Sequence, residues 1–288
     1  MMPVLYLSFA TILGAASVFG KMFTRRVGDC KDSTNIYTFF LLVSACLGWG
    51  VLYLMDFTFD VRVLFYSFLF SLCYMMAHLG IIEGMKCGSA TLTALFVNLS
   101  LILVTIWGFI FWDEKITVLV AIGLVLVCLS IFLCLYTRQK EEVTVSFKWI
   151  LYVVLACVGN AGCAIVQRIE QRAFENQHGN MLMFFALVFS VIFFFIIFMM
   201  SDKRDVGTIL KKAWWAPFLT GTLNVGHNLF VLLLATTALS TSLIYPVIGV
   251  GGLAIVTIIS LVVFKEKMYW WQWVGVGVGA VAVALLSI

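Results

Sequence analysis

Asn224, His227 and Asn228 make the densest run of hydrogen-bonding side chains inside any apolar stretch of this chain. Their i, i+3, i+4 spacing puts all three on one face of a helix. The two amides supply donors and acceptors together, and the imidazole either changes charge near neutral pH or stays neutral as a hydrogen-bond partner. Such a face can grip a polar solute or tie helices together, and the spacing alone leaves both readings open. Similar stripes recur elsewhere: Tyr74 and His78 at i, i+4, Thr91, Asn98 and Thr105 every seven residues, and Asn160 and Gln167 seven apart. Polar groups facing lipid are expensive, so these stripes should point inward. The candidate binding set is therefore Tyr74, His78, Asn98, Asn160, Gln167, Asn224, His227, Asn228 and Tyr245, expected to form a ring near the membrane midplane. It carries almost no fixed charge. That suits a neutral polar or zwitterionic solute, or a cation held over aromatic faces, better than a strong anion.

The rest of the chemistry is sparse. Glu83 is a candidate for proton coupling, if partly buried, or else a surface partner of Lys86 at i, i+3. Pro246, followed by Gly249, Gly251 and Gly252, removes a backbone bond from its helix and marks either a gating hinge or a static kink. Gly275 and Gly279 form a small-xxx-small pair that packs within the monomer or seams a homodimer. The cysteines lie mostly in apolar runs without C-x-x-C or Cys/His spacing, which reads as buried free thiols and no metal site. No convergent nucleophile and base and no G-x-x-x-x-G-K-[ST] loop occur, so no catalytic residue, cofactor or ATP drive is expected. The expected partners are a small-molecule substrate and the bilayer, not nucleic acid.

These residues are carried by long apolar stretches. The 288 residues are 63% hydrophobic and only 11% charged, with a mean hydropathy of +1.10, too few polar side chains to clothe a soluble globule of this size. Long apolar runs and three prolines point to helices rather than a barrel. Windows of membrane-crossing length predict ten spans, near 3–22, 36–55, 63–84, 89–112, 117–136, 148–168, 181–200, 214–236, 240–264 and 269–287. The first is read as a span, since it lacks the basic region and cleavage site of a signal peptide. Trp112, Trp214, Trp215, Trp270, Trp271 and Trp273 sit at span ends as interface anchors.

A gapless shift of 152 positions lays Leu101, Val104, Thr105, Ile106, Glu114, Lys115 and Gly123 over Leu253, Val256, Thr257, Ile258, Glu266, Lys267 and Gly275. The fourth and fifth spans thus match the ninth and tenth, and a repeat of five spans must enter the membrane from the opposite side. The expected architecture is an all-α membrane protein of two inverted repeats, residues 1–137 and 138–288, the arrangement in which substrate sites lie between halves that alternate access. Glu114 and Glu266 open tight turns where a carboxylate complements a helix N-terminus.

The stretches AHLGIIEGMKCGSATLTALFVNLSLILVTIWGFIFWDEKIT and LLATTALSTSLIYPVIGVGGLAIVTIISLVVFKEKMYWWQWVGVGVGAVAVALLSI resemble the paired repeats of the drug/metabolite transporter superfamily, EamA type. In both, a helix ending in small and hydroxylated residues runs into a second helix that closes on a Glu-basic turn. Ala94 stands where the second repeat has Pro246, and Trp112-Asp113 and Phe264-Lys265 replace the usual small residue before the glutamate. The resemblance implies a secondary transporter, expected in a bacterial plasma membrane, moving a small polar or amphipathic organic metabolite or drug by alternating access; the missing ATP-binding loop leaves an ion gradient or exchange to drive it. Rival readings are a lipid-head-group flippase and a membrane enzyme or scaffold. Of the Lys and Arg residues, 14 fall on one side and 4 (Arg62, Lys115, Arg168 and Arg172) on the other. The positive side should be cytoplasmic, which places both termini outside, against the family's more usual arrangement. A C-terminal alkaline phosphatase fusion should then be active and a green fluorescent protein fusion dark; the reverse pattern refutes this orientation.

Overall fold

The computed structural model describes residues 2–27, 33–87, 90–112, 117–135, 146–200, 206–237, 239, 241–264 and 269–286. Glu114, Lys115, Glu266 and Lys267, and the side chains of Lys86, Thr91, Asn98 and Pro246, fall outside that description. Among the described residues every element is a helix: α1 Met2–Gly14, α2 Ser17–Val27, α3 Ser33–Met55, α4 Val61–Cys87, α5 Ala90–Phe111, α6 Val118–Leu135, α7 Phe147–Ala173, α8 Gly179–Met200, α9 Val206–Ala213, α10 Trp215–Ala235, α11 Thr241–Phe264 and α12 Trp270–Leu286. Helices satisfy their own backbone groups, as a chain in lipid must. Among the described residues six stretches are long and apolar enough to cross a membrane: Met2–Gly20, Ser33–Met55, Val61–Gly84, Phe147–Ala173, Gly179–Met200 and Trp215–Leu234. Shorter apolar helical stretches are Ile102–Phe111, Val118–Leu133, Leu243–Gly252 and Trp273–Ala282. Large apolar side chains such as Leu54, Phe65, Val125, Phe147 and Val262 are exposed on their outer faces, which is ordinary against acyl chains and costly against water.

Three boundaries correct the sequence reading. The first predicted span is two helices, broken at Ala15–Ala16, where Ala15 N–H and Ala16 N–H bond three residues back to Ile12 and Leu13 at 3.2 and 3.1 Å. The link after the seventh span contains α9, whose Ile209 and Ala213 are fully buried at i, i+4 while Lys211 and Lys212 face out. Most consequential for function, the sixth span does not end at 168. Helix α7 runs on to Ala173 and is stopped by Glu175 and Asn176, both at positive φ (52° and 62°), with Asn176 N–H closing back on Gln171 O at 2.8 Å. Arg168, counted above among loop charges, is therefore a buried helix residue.

The helices group into two compact units, each drawing on both halves of the chain. Unit 1 holds Met1–Leu7, Cys73–Ile165 and Thr237–Ile288, and unit 2 holds Ser8–Leu72 and Val166–Thr236. In unit 1, α6 packs along α12, and α5 and α12 also pack on α11. Ser130 Oγ donates to Gly275 O at 2.7 Å, and a Cβ at Gly279 would lie 2.5 Å from Val250 Cγ1 and 2.6 Å from Ser130 Oγ. The Gly275–Gly279 face is thus taken up inside the chain.

In unit 2, α3 packs on α8 and α10. Thr220 Oγ1 donates to Ala216 O at 2.9 Å and accepts from Tyr37 OH at 2.7 Å, and Ser44 Oγ donates to Phe218 O at 2.9 Å. Hydroxyls bonded this way bury without leaving an open donor.

Candidate functional site

In unit 1 the crossing of α4 and α7 positions the candidate side chains. At Gly80 a Cβ would lie 2.5 Å from Ala156 N and 2.6 Å from Tyr152 O; at Gly159 it would lie 2.5 Å from Ala77 N and 2.6 Å from Cys73 O. Two helix backbones touch here, each entering where the other has no side chain. Tyr74 and His78 follow directly from that contact, and their rings lie 4.3 Å apart, inclined by 35°. Asn160, next to Gly159, donates through Nδ2 to Ser100 Oγ of α5 at 2.7 Å. Tyr245 is half-buried on α11, which runs unbroken through Pro246, and Asn98 lies on α5.

In unit 2 the α10 stripe is partly self-satisfied. Asn228 Nδ2 donates to Asn224 Oδ1 at 3.0 Å and to Asn224 O at 2.9 Å. His227 Nδ1 lies 2.8 Å from Ala10 O. A carbonyl can only accept, so Nδ1 carries the proton and a neutral ring presents Nε2 as acceptor. Gly14, one turn beyond Ala10, makes room: a Cβ there would meet the His227 ring at 3.2 Å. His227 therefore ties α10 to α1 through Nδ1 and presents Nε2 as an acceptor.

Gln167 stands in company the sequence reading missed. Because α7 continues, Gln167, Glu170 and Gln171 form a second i, i+3, i+4 stripe, only 4%, 0% and 3% exposed. Gln171 Nε2 reaches Leu232 O at 3.5 Å, but Gln167 Nε2 and both oxygens of Glu170 are buried without a hydrogen-bond partner among the described residues. The signal was present as spacing; the neighbouring Arg168 and Arg172 disguised it as a loop. Glu83 is half-buried on α4.

The structure thus pairs Tyr74 with His78 and Asn224 with Asn228, joins Asn160 to Ser100 and His227 to Ala10, and sets Gln167 on one face with Glu170 and Gln171. A cavity of about 240 Å³ in unit 1 holds none of these residues. Its walls are Leu103, Trp149, Ile150, Val153, Val154, Cys157 and Val158, which suit an acyl chain rather than a polar solute.

No curated protein matches the chain. A solved crystal structure matches over 99% of this chain and 97% of that one with a TM-score of 0.74, at 10% identity, a likeness of fold alone. Residues 147–288 match the EamA-like transporter family. Residues 147–288, with their apolar spanning helices, therefore fall in the EamA-like transporter family, membrane transporters of the drug/metabolite type.

Proposed function

We propose that the protein is a secondary transporter of ten spans in two inverted five-helix repeats, moving a small neutral polar or zwitterionic solute by alternating access, driven by an ion gradient or exchange. The carrying observation is that helices equated by the 152-residue shift pack together within unit 1, α5 with α11 and α6 with α12. A duplicated unit that embraces its own copy supports the repeat reading. Substrate contact is assigned to Tyr74, His78, Asn98, Asn160, Gln167, Asn224, His227, Asn228 and Tyr245. Amides, phenols and neutral imidazoles match a polar solute without net charge. Pro246 is assigned the hinge of α11, and Glu83 stays a candidate for proton coupling.

The apolar groove beside Trp149 favours one second reading, a lipid-head-group flippase, since an acyl chain would lie there. Counterflow of labelled neutral and zwitterionic metabolites into proteoliposomes, beside a fluorescent-lipid scrambling assay, separates the two. Solute counterflow without lipid translocation is the expected result.

A further inference from the structure

Glu170 is fully buried, and neither carboxylate oxygen has a partner among the described residues. A purely structural role would show a hydrogen bond or ion pair, and an apolar side chain of the same size would pack the space without the desolvation penalty. An ionisable group held this way within a span calls for a function. We propose that Glu170 is a proton-carrying site, taking up a proton as a neutral acid in this conformation and releasing it when the site hydrates, so that transport is coupled to the proton gradient. The proposal rests on the transporter reading above and names its coupling ion.

The surroundings fit this role. Gln167, one turn back, leaves its Nε2 donor open beside the acid, ready to bond the ionised form. Phe174, one turn on, carries Arg62 over its ring at 5.1 Å and has Tyr66 and His178 against it at 5.9 and 5.5 Å. Beyond it Glu175, Asn176 and Gln177 are exposed, so a single aromatic turn separates the acid from the hydrated end of α7. The charged and titratable groups of the packed elements are Asp60, Arg62 and Tyr66 at the start of α4, His178 before α8, His227 on α10, and Arg168, Arg172 and Glu175 on or just after α7. Arg62 is committed to Asp60, at 2.6 Å, and holds that exposed carboxyl down to about 2. Arg62 therefore already has its counter-ion.

The test uses the proton itself as probe. pH-difference infrared spectra of the purified full-length protein should show the carbonyl stretch of a protonated carboxylic acid that vanishes on raising pH. Glu170→Gln should remove the band, Glu170→Asp should shift it, and Glu83→Gln should leave it. In proteoliposomes, Glu170→Gln should lose uptake driven by a pH gradient while gradient-free counterflow of the same labelled metabolite continues. Absence of a titrating acid band in the unmodified protein overturns the proposal, as does a band that survives Glu170→Gln or vanishes in Glu83→Gln, or uptake that follows a sodium gradient instead. If no metabolite shows counterflow, the transporter reading fails, and the infrared result still decides whether Glu170 binds a proton.

Discussion

Gly80→Ala is expected to destabilise the protein more than any single-methyl change elsewhere in unit 1, with a sharp fall in its melting temperature in detergent. The new Cβ would sit 2.5 Å from Ala156 N, 2.6 Å from Tyr152 O and 2.8 Å from Ala156 Cα. All three are backbone atoms, so no rotamer change relieves the clash and α4 must move off α7. Overpacking a tight core costs roughly 1–3 kcal/mol where side chains can yield; here only helices can yield, and about 3 kcal/mol or more is expected. Gly159→Ala should behave alike, because its Cβ meets Ala77 N and Cys73 O at 2.5 and 2.6 Å. Gly277→Ala is the control, with nothing within 4 Å of its Cβ. A Gly80→Ala protein that melts with the Gly277→Ala control would mean that the helices do not cross at these glycines, and that Tyr74, His78 and Asn160 are placed by something else.

Asn224→Ala is expected to weaken substrate affinity about tenfold, the worth of one or two net hydrogen bonds, with little change in melting temperature. Its loss takes one acceptor from Asn228, which keeps the Asn224 backbone carbonyl at 2.9 Å. His227→Ala should differ in kind. It removes the 2.8 Å bond to Ala10 O and opens a gap beside Gly14, so it should lower both affinity and stability, the latter by about 1 kcal/mol as for other hydrogen bonds between membrane helices. The concentration dependence of counterflow, read beside thermal unfolding, measures both. If both variants lose stability while affinity is unchanged, the α10 stripe is interhelical glue.

The contrast between what was legible and what was not follows from how each signal arises. Long apolar windows announce helices because lipid demands them, and among the described residues each predicted span falls largely on helix. The end of α7 was hidden because Arg168, Glu170 and Arg172 lower hydropathy as a loop would; a window average cannot tell a buried charged turn from a solvated one. Two left-handed residues, Glu175 and Asn176, end the helix, and Asn is the type that tolerates that conformation best after glycine. The break at Ala15–Ala16 has no proline to mark it. The role of His227 was split by distance: spacing showed which neighbours share its face, but its bond to Ala10, 217 residues away, is tertiary.

The measurement that bears most directly on the account is solute counterflow by the unmodified protein in sealed proteoliposomes, with a panel of labelled neutral, zwitterionic, cationic and anionic metabolites. Vesicles preloaded with an unlabelled neutral or zwitterionic member should accumulate its labelled form transiently, without ATP, while strongly anionic members give no signal. Failure of every member to exchange, or exchange confined to anions, would contradict a transporter built on these uncharged polar side chains.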